Sequence, residues 1–138
     1  MRIIGFNLTG ISSERKDKIE GELKISQNIN LIEIIKEKLT ISSEESLHIK
    51  FQFTVNYDPD IAKIEFKGNV ILLPEKEDIK KILKSWKSKK LGDEFRIPLF
   101  NFIMGKCNIK ALNLEDEFGL PPHIQMPRIS PDQDKPIS

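Results

Sequence analysis

The run Leu47-His48-Ile49-Lys50-Phe51-Gln52-Phe53-Thr54-Val55-Asn56-Tyr57 decides the fold. Leu47, Ile49, Phe51, Phe53, Val55 and Tyr57 fall on one side of a two-residue period, while His48, Lys50, Gln52, Thr54 and Asn56 fall on the other. That is the pattern of a strand with one face in the core. Next come Asp58-Pro59-Asp60, where the proline presets a turn and the aspartates can accept local backbone hydrogen bonds. A second arm, Ile61 to Leu73, carries Ile64, Phe66, Val70 and Leu72 on one face and Lys63, Glu65, Lys67 and Asn69 on the other. Gly68 falls on the apolar face, which points to a bulge or to close packing by a helix.

Upstream, Ile4, Phe6 and Leu8 alternate with Ile3, Gly5, Asn7 and Thr9. After a polar stretch, Ser12 to Lys18, the alternation resumes at Ile19, Gly21, Leu23 and Ile25, and two more strands are expected. Ile29 to Leu39 fits a strand by its isoleucine richness and a helix by the spacing of Ile32, Ile35 and Leu39; isoleucine richness favours the strand. Thr40 to Ser46 reads as a polar loop.

Beyond Leu73 the period changes. From Glu75 to Leu91, Ile79, Ile82, Leu83 and Trp86 recur at helical spacing, with acids in the first turn and lysines towards the end, complementing the helix dipole. Trp86 belongs to the buried stripe on this reading. Gly92 ends the helix and Asp93 caps the next. The second helix carries Leu99, Phe100, Phe102, Ile103, Met104, Cys107, Ala111, Leu112, Leu114 and Phe118, too many for one stripe, with Pro98 placed near its first turn. Gly119 stops it, and Leu120 to Ile129 reads as an extended, proline-stiffened strap. Strands segregated from helices imply an α+β fold, an antiparallel four-stranded meander, or a five-stranded one if Ile29 to Leu39 is a strand of its own, followed by two helices. Residues 1–129 are expected to form one domain, with 130–138 as a flexible tail.

The chain has 138 residues, enough for a core that buries about two-thirds of the unfolded surface. Its 22 Lys+Arg against 21 Asp+Glu leave a formal charge of +1. That balance disfavours a nucleic-acid partner held by bulk charge, though it leaves room for a local patch. One cysteine builds neither an internal disulfide nor a thiolate cage, and no segment has the roughly 20 apolar residues of a membrane span. A soluble, cytoplasmic protein is the expectation.

Signals for chemistry are sparse. His48 lies on a polar strand face and His123 in the strap; without a cluster of ligands each reads as a surface histidine, and no metal or cofactor is expected. Cys107 would be a nucleophile only if His123 folded onto it, and its helical spacing with Ile103 and Ala111 favours a core thiol. Glu115-Asp116-Glu117 reads as a solvated helix end, since consecutive helical positions diverge. The lysines at 80, 81, 84, 87, 89 and 90 read as a solvated face, with phosphate or acidic headgroups the less favoured reading. No phosphate loop, nucleophile elbow or dinucleotide fingerprint occurs, so an enzyme is not expected.

What remains is apolar surface beyond what one sheet and its covering helices need, a surplus that marks either self-association or acceptance of a partner polypeptide. Against that background the stretch Ile97-Pro98-Leu99-Phe100-Asn101-Phe102-Ile103-Met104-Gly105-Lys106-Cys107 resembles the start of the long helix in the SecB family of export chaperones. The hairpin ending Phe66-Lys67-Gly68-Asn69-Val70 resembles that family's last two strands, and Leu112-Asn113-Leu114 with the strap its segment ahead of the terminal helix. The helix from Glu75 to Leu91 is longer than the family's usual link. The acidic tail that engages the export ATPase is missing, since residues 130–138 hold only Asp132 and Asp134 as acids. The departures suit relatives outside general export, including those paired with toxin–antitoxin systems or carried by archaea. The resemblance implies an ATP-independent holding chaperone for unfolded polypeptides, assembled as a dimer of dimers. An oligomeric adaptor docking one partner is the alternative. Pattern alone nominates Phe6, Leu8, Phe100, Phe102 and Leu120 as groove or subunit-interface residues.

Overall fold

The period-two runs become four strands in the structure, a computed structural model that describes residues 2–39, 44–129, 131 and 136–137. These are β1 (Arg2–Arg15), β2 (Lys24–Lys38), β3 (Glu45–Asp58) and β4 (Ala62–Leu73). Two helices follow, α1 (Lys76–Trp86) and α2 (Asp93–Glu117), and β5 (Arg128–Ile129) pairs with β6 (Pro136–Ile137). The architecture is α+β, with four antiparallel strands in one sheet ahead of the helices. Of the expected polar loop, residues 40–43 lie outside the described residues, and Glu45 and Ser46 already belong to β3. Most of the expected tail lies outside them too.

Sheet order is β1-β4-β3-β2. Strands β2, β3 and β4 form the expected meander, but β1 lies beyond β4 and not beside β2. The apolar alternation at Ile19 to Ile25 is therefore not a separate strand: residues 16–23 cross the β3–β4 hairpin end. Arg15 pairs with Ala62 on one side of that end and Lys24 with Asp58 on the other. Lys16 N–H donates to the Ile61 carbonyl at 2.8 Å along the way. Gly21 sits at φ +76°, where no strand continues, while Ile19 and Leu23 still pack against the core.

Bulges explain the remaining misreadings of period. In β2 one residue, Ile32, is extra between Leu31, opposite Phe51, and Glu33, opposite Lys50. Leu31 and Ile34 thus face the core three positions apart, which imitates a helix in the sequence. In β1 the register shifts at Ile4 and at Thr9, so Ile3 pairs with Leu72 on the core face and Ile4 is exposed. The second shift lies beside Gly68, which is opposite Leu8 in β1 and Phe51 in β3. The bulge that Gly68 announces is therefore in the neighbouring strand, and what packs on Gly68 is the Phe51 ring, not a helix. A Cβ there would sit 2.9 Å from Phe51 Cζ and run into the Asn7 carbonyl oxygen.

The inward face of β3 is fully buried along its length, with Ile64, Phe66, Val70 and Leu72 of β4 beside it. Each such side chain contributes roughly 1.5–3 kcal/mol by leaving water. Helix α2 covers this face with a row four residues apart, Phe95, Leu99, Ile103, Cys107, Ala111 and Glu115. The helix begins earlier than its proline suggested, which puts Pro98 in the second turn. Gly92 (φ −61°) is its N-cap, and Asp93 caps nothing, pairing instead with Arg96 at 2.8 Å. Helix α1 ends at Trp86, where Lys89 takes the left-handed conformation at φ +60° and donates its N–H to the Trp86 carbonyl.

Two glycines give opposite expectations. Gly68→Ala should cost about 1–3 kcal/mol of stability, the usual penalty of overpacking a filled site. Gly105→Ala, on the exposed side of α2 with nothing within 4 Å of the added Cβ, should gain about 0.5–1 kcal/mol from helix propensity. Urea denaturation of both variants checks the pair, and a neutral Gly68→Ala would contradict the close approach.

Candidate functional site

The five residues nominated from pattern separate into three places. Phe6 stacks on Phe51 with ring centroids 5.6 Å apart and meets the edge of Phe102 at 5.9 Å. Phe6, Phe102 and Leu8 are half-buried on the rim of the core. Leu120 is only 5% exposed and belongs to the core. Its burial follows from how α2 ends: Gly119, at φ +64°, donates to the Asp116 carbonyl and Leu120 N–H to the Glu115 carbonyl, a Schellman turn that folds the next side chain inward. Phe100 alone of the five lines an open cleft.

That cleft, about 450 Å³, lies between the middle of β2 and the junction of the two helices. Ile29 and Leu31 of β2, Trp86, Leu91 and Phe100 supply its apolar wall, and Lys89, Lys90, Asp93 and Arg96 its polar rim. The Lys89 ammonium stands 4.6 Å from the Trp86 ring centre, and the Arg96 guanidinium 5.7 Å from that of Phe100. Trp86 is thus half-buried at an opening, not fully within the helical stripe. Strand β2 is an edge of the four-stranded sheet, so alternate backbone N–H and carbonyl groups beside the cleft point away from β3. Sequence reasoning picked out Trp86 and the lysines separately but missed Ile29, Leu31 and Arg96, because only the fold brings β2 to the helix junction.

A second constellation was not anticipated. The His123 side chain, expected at the surface, is wholly buried, and so is Glu115, expected in a solvated helix end. His123 Nδ1 lies 3.0 Å from Glu115 Oε1 and 2.7 Å from Oε2, and the His123 backbone N–H donates to Oε1 at 3.1 Å. Nε2 sits 2.8 Å from Asn108 Oδ1. Either orientation of that amide satisfies it, the oxygen accepting from Nε2–H or the nitrogen donating to a bare Nε2. Tyr57 donates its hydroxyl to the Pro121 carbonyl, and burial, with the nearby Glu115 carboxylate, raises its phenol well above the usual value. Arg15 of β1 donates to the Phe118 carbonyl at 2.7 Å. The strap is thus clasped to the end of α2 and to β3 by polar groups withdrawn from water, while Arg15 ties the end of α2 itself to β1. Its first residues bend at His123 and Ile124 instead of running extended.

The other candidates are quiet. His48 is on the sheet's polar face, 3.1 Å from Glu37, in keeping with a surface histidine. Cys107 is fully buried, and burial pushes its thiol up to about 12, so a thiolate nucleophile is not available there. Among the described residues no group of three or more His, Cys, Asp or Glu is placed to hold a metal, and no helix is long and apolar enough to cross a membrane.

No family model and no curated protein sequence matches the chain. Among solved structures, the Mycobacterium tuberculosis Rv1957 SecB-like chaperone, in complex with a ChAD peptide from the Rv1956 HigA1 antitoxin, superposes with a TM-score of 0.55. Sequence identity is 16%, over 94% of this chain and 87% of that one. The fold is SecB-like. At this identity the likeness is one of fold, and it agrees with the order of strands and helices described above. Nothing in it singles out an archaeal relative.

Two measurements check the buried groups. The Cys107 thiol should resist labelling in the native protein and react on unfolding. Because its folded value is raised from 9.0 to about 12, its stabilising share is complete below pH 9 and lost as pH rises towards 12. The thiol's share of the slope should reach about 1.4 kcal/mol per pH unit where the unfolded thiol alone is ionised, and Cys107→Ala should remove that share while leaving the one of like sign that the raised Tyr57 phenol adds above pH 10. For the clasp, His123→Leu should destabilise by about 3 kcal/mol or more by stranding the Glu115 carboxylate, while the double change with Glu115→Leu should cost less than the sum of the single ones.

Proposed function

We propose that this protein is an ATP-independent holding chaperone that binds extended, unfolded segments of other polypeptides. The observation that carries the reading is the cleft: an aromatic floor of Trp86 and Phe100 beside β2, an edge strand of the sheet. An extended segment can bond to such an edge through its backbone while placing a side chain on the apolar floor, which recognises conformation and hydrophobicity without demanding one sequence. The SecB-like fold supports the reading, since the Rv1957 chaperone was solved with a peptide bound. The working form we propose is a homo-oligomer, a dimer of dimers. Ile97 and Ile109 of α2, 48% and 65% exposed, and Ile4 and Ile11 of β1 are apolar side chains that such assembly would cover. A native mass equal to one subunit would reject that part of the proposal.

The lone tryptophan lines the cleft, so its fluorescence reports occupancy directly. Titration with unfolded, unrelated polypeptides should shift the Trp86 emission, and the same clients should be protected from aggregation at near-stoichiometric ratios without nucleotide. Phe100→Ala should weaken binding about ten-fold, as loss of a central aromatic anchor does. Protection of several clients supports a chaperone; protection of none rejects it. Binding confined to one folded protein would make the chain an adaptor instead.

A further inference from the structure

The cleft carries charge as well as oil, and its charge is one-sided. Its rim holds Lys89, Lys90 and Arg96 against the single carboxylate of Asp93, in a chain whose formal charge is only +1. Asp93 is committed to Arg96 at 2.8 Å, and among the described residues no carboxylate lies within ion-pair distance of Lys89 or Lys90. The two cations nearest the floor lie over its two aromatic rings, Lys89 on Trp86 and Arg96 on Phe100. Lys89 is held there by a left-handed backbone at φ +60°, which a side chain adopts at a cost that glycine would avoid. Its ammonium is thereby directed across the tryptophan at the mouth of the opening.

We propose that this cleft prefers extended segments in which an apolar or aromatic side chain is flanked by Asp or Glu, and that it takes them as an added strand along the outer edge of β2. The inference deepens the polypeptide-holding function and rests on it. The geometry fixes the phase. On a strand, residues two apart share a face and stand about 7 Å from one another. With the apolar side chain on the Trp86–Phe100 floor, acids two positions before and after it are on the same face, towards the lysines and Arg96. Acids one position away face the opposite side. The carboxylates exchange water for charge-assisted bonds to Lys89 and Lys90, which have no carboxylate partner among the described residues, and to Arg96, which Asp93 only partly neutralises, while the apolar residue fills the floor between them.

Synthetic peptides of one length and one central phenylalanine test this, read by Trp86 fluorescence on the full chain. Three carry Asp two positions either side, Lys at those positions, or Asp one position either side. At about 50 mM salt the first should bind at least about ten-fold more tightly than the second, and the gap should close to within about three-fold near 500 mM as screening sets in. The third should fall between them. Lys89→Glu with Lys90→Glu should reverse the order of the first two while leaving the fold intact by circular dichroism. Methylating backbone nitrogens of the first peptide should weaken binding in one alternate set of positions and spare the other. Equal affinity of the acidic and basic peptides overturns the proposed selectivity while leaving the holding function standing. Failure of all three peptides and of unfolded clients alike rejects the function beneath it. A single-stranded oligonucleotide that binds more tightly than the acidic peptide and displaces it would mark the rim as a nucleic-acid surface and overturn the proposal.

Discussion

The structure depends on covering the inward face of β3. Leu47, Ile49, Phe51, Phe53, Val55 and Tyr57 form an unbroken apolar ridge down the middle of the sheet, and a ridge of that kind is stable only beneath another apolar surface. Helix α2 supplies it, and the fit between the two dictates what can happen elsewhere. Because α2 spends its buried row on β3 and β4, its flanking residues Phe100 and Phe102 reach the two margins of the sheet. One margin gives the closed aromatic contact with Phe6. The other, where α1 turns into α2, gives the cleft against β2.

The same constraint accounts for the buried polar clasp. The last member of the α2 row, Glu115, lies where the helix runs off the end of the ridge beside Tyr57, in a position that water does not reach. A carboxylate there is tolerated only with donors brought to it, and the Schellman turn at Gly119 brings them by reversing the chain so that His123 meets it from the other side. The strap is thus held by specific partners as well as by burial of Leu120.

How much of this the sequence disclosed follows from what periodicity can carry. The β3–β4 hairpin was plain because both of its faces keep a strict alternation, and α1 was plain because acids, bases and apolar residues agree on its placement, whereas α2, apolar on more than one stripe and ending in acids, was legible mainly from its length of unbroken helix-period residues. The order of strands was not, because nothing local distinguishes a connection crossing a hairpin end from a short strand, and Ile19 and Leu23 pack inward in either case. The bulges at Ile4, Thr9 and Ile32 defeat alternation by construction. Glu115 and His123 were misread because a charged residue in a run of acids, and a histidine among prolines, look solvated until the fold puts them 2.7 Å apart. The apolar surplus expected on α2 and the strap is smaller than composition suggested: Leu120 is core and Phe102 lies against Phe6, leaving Ile97, Ile109, Met126 and the cleft at Phe100.

Both margins of the sheet carry irregularities, two in β1 and one in β2 at Ile32. A bulge bends and twists the strand that bears it, so a partner strand cannot follow the whole margin in one register. On β2 this leaves the straight reach from Lys24 to Leu31 with evenly presented backbone groups, and it closes that reach just past the wall of the cleft. A margin interrupted in this way leaves room for only a short added strand and discourages edge-to-edge stacking of copies into fibres.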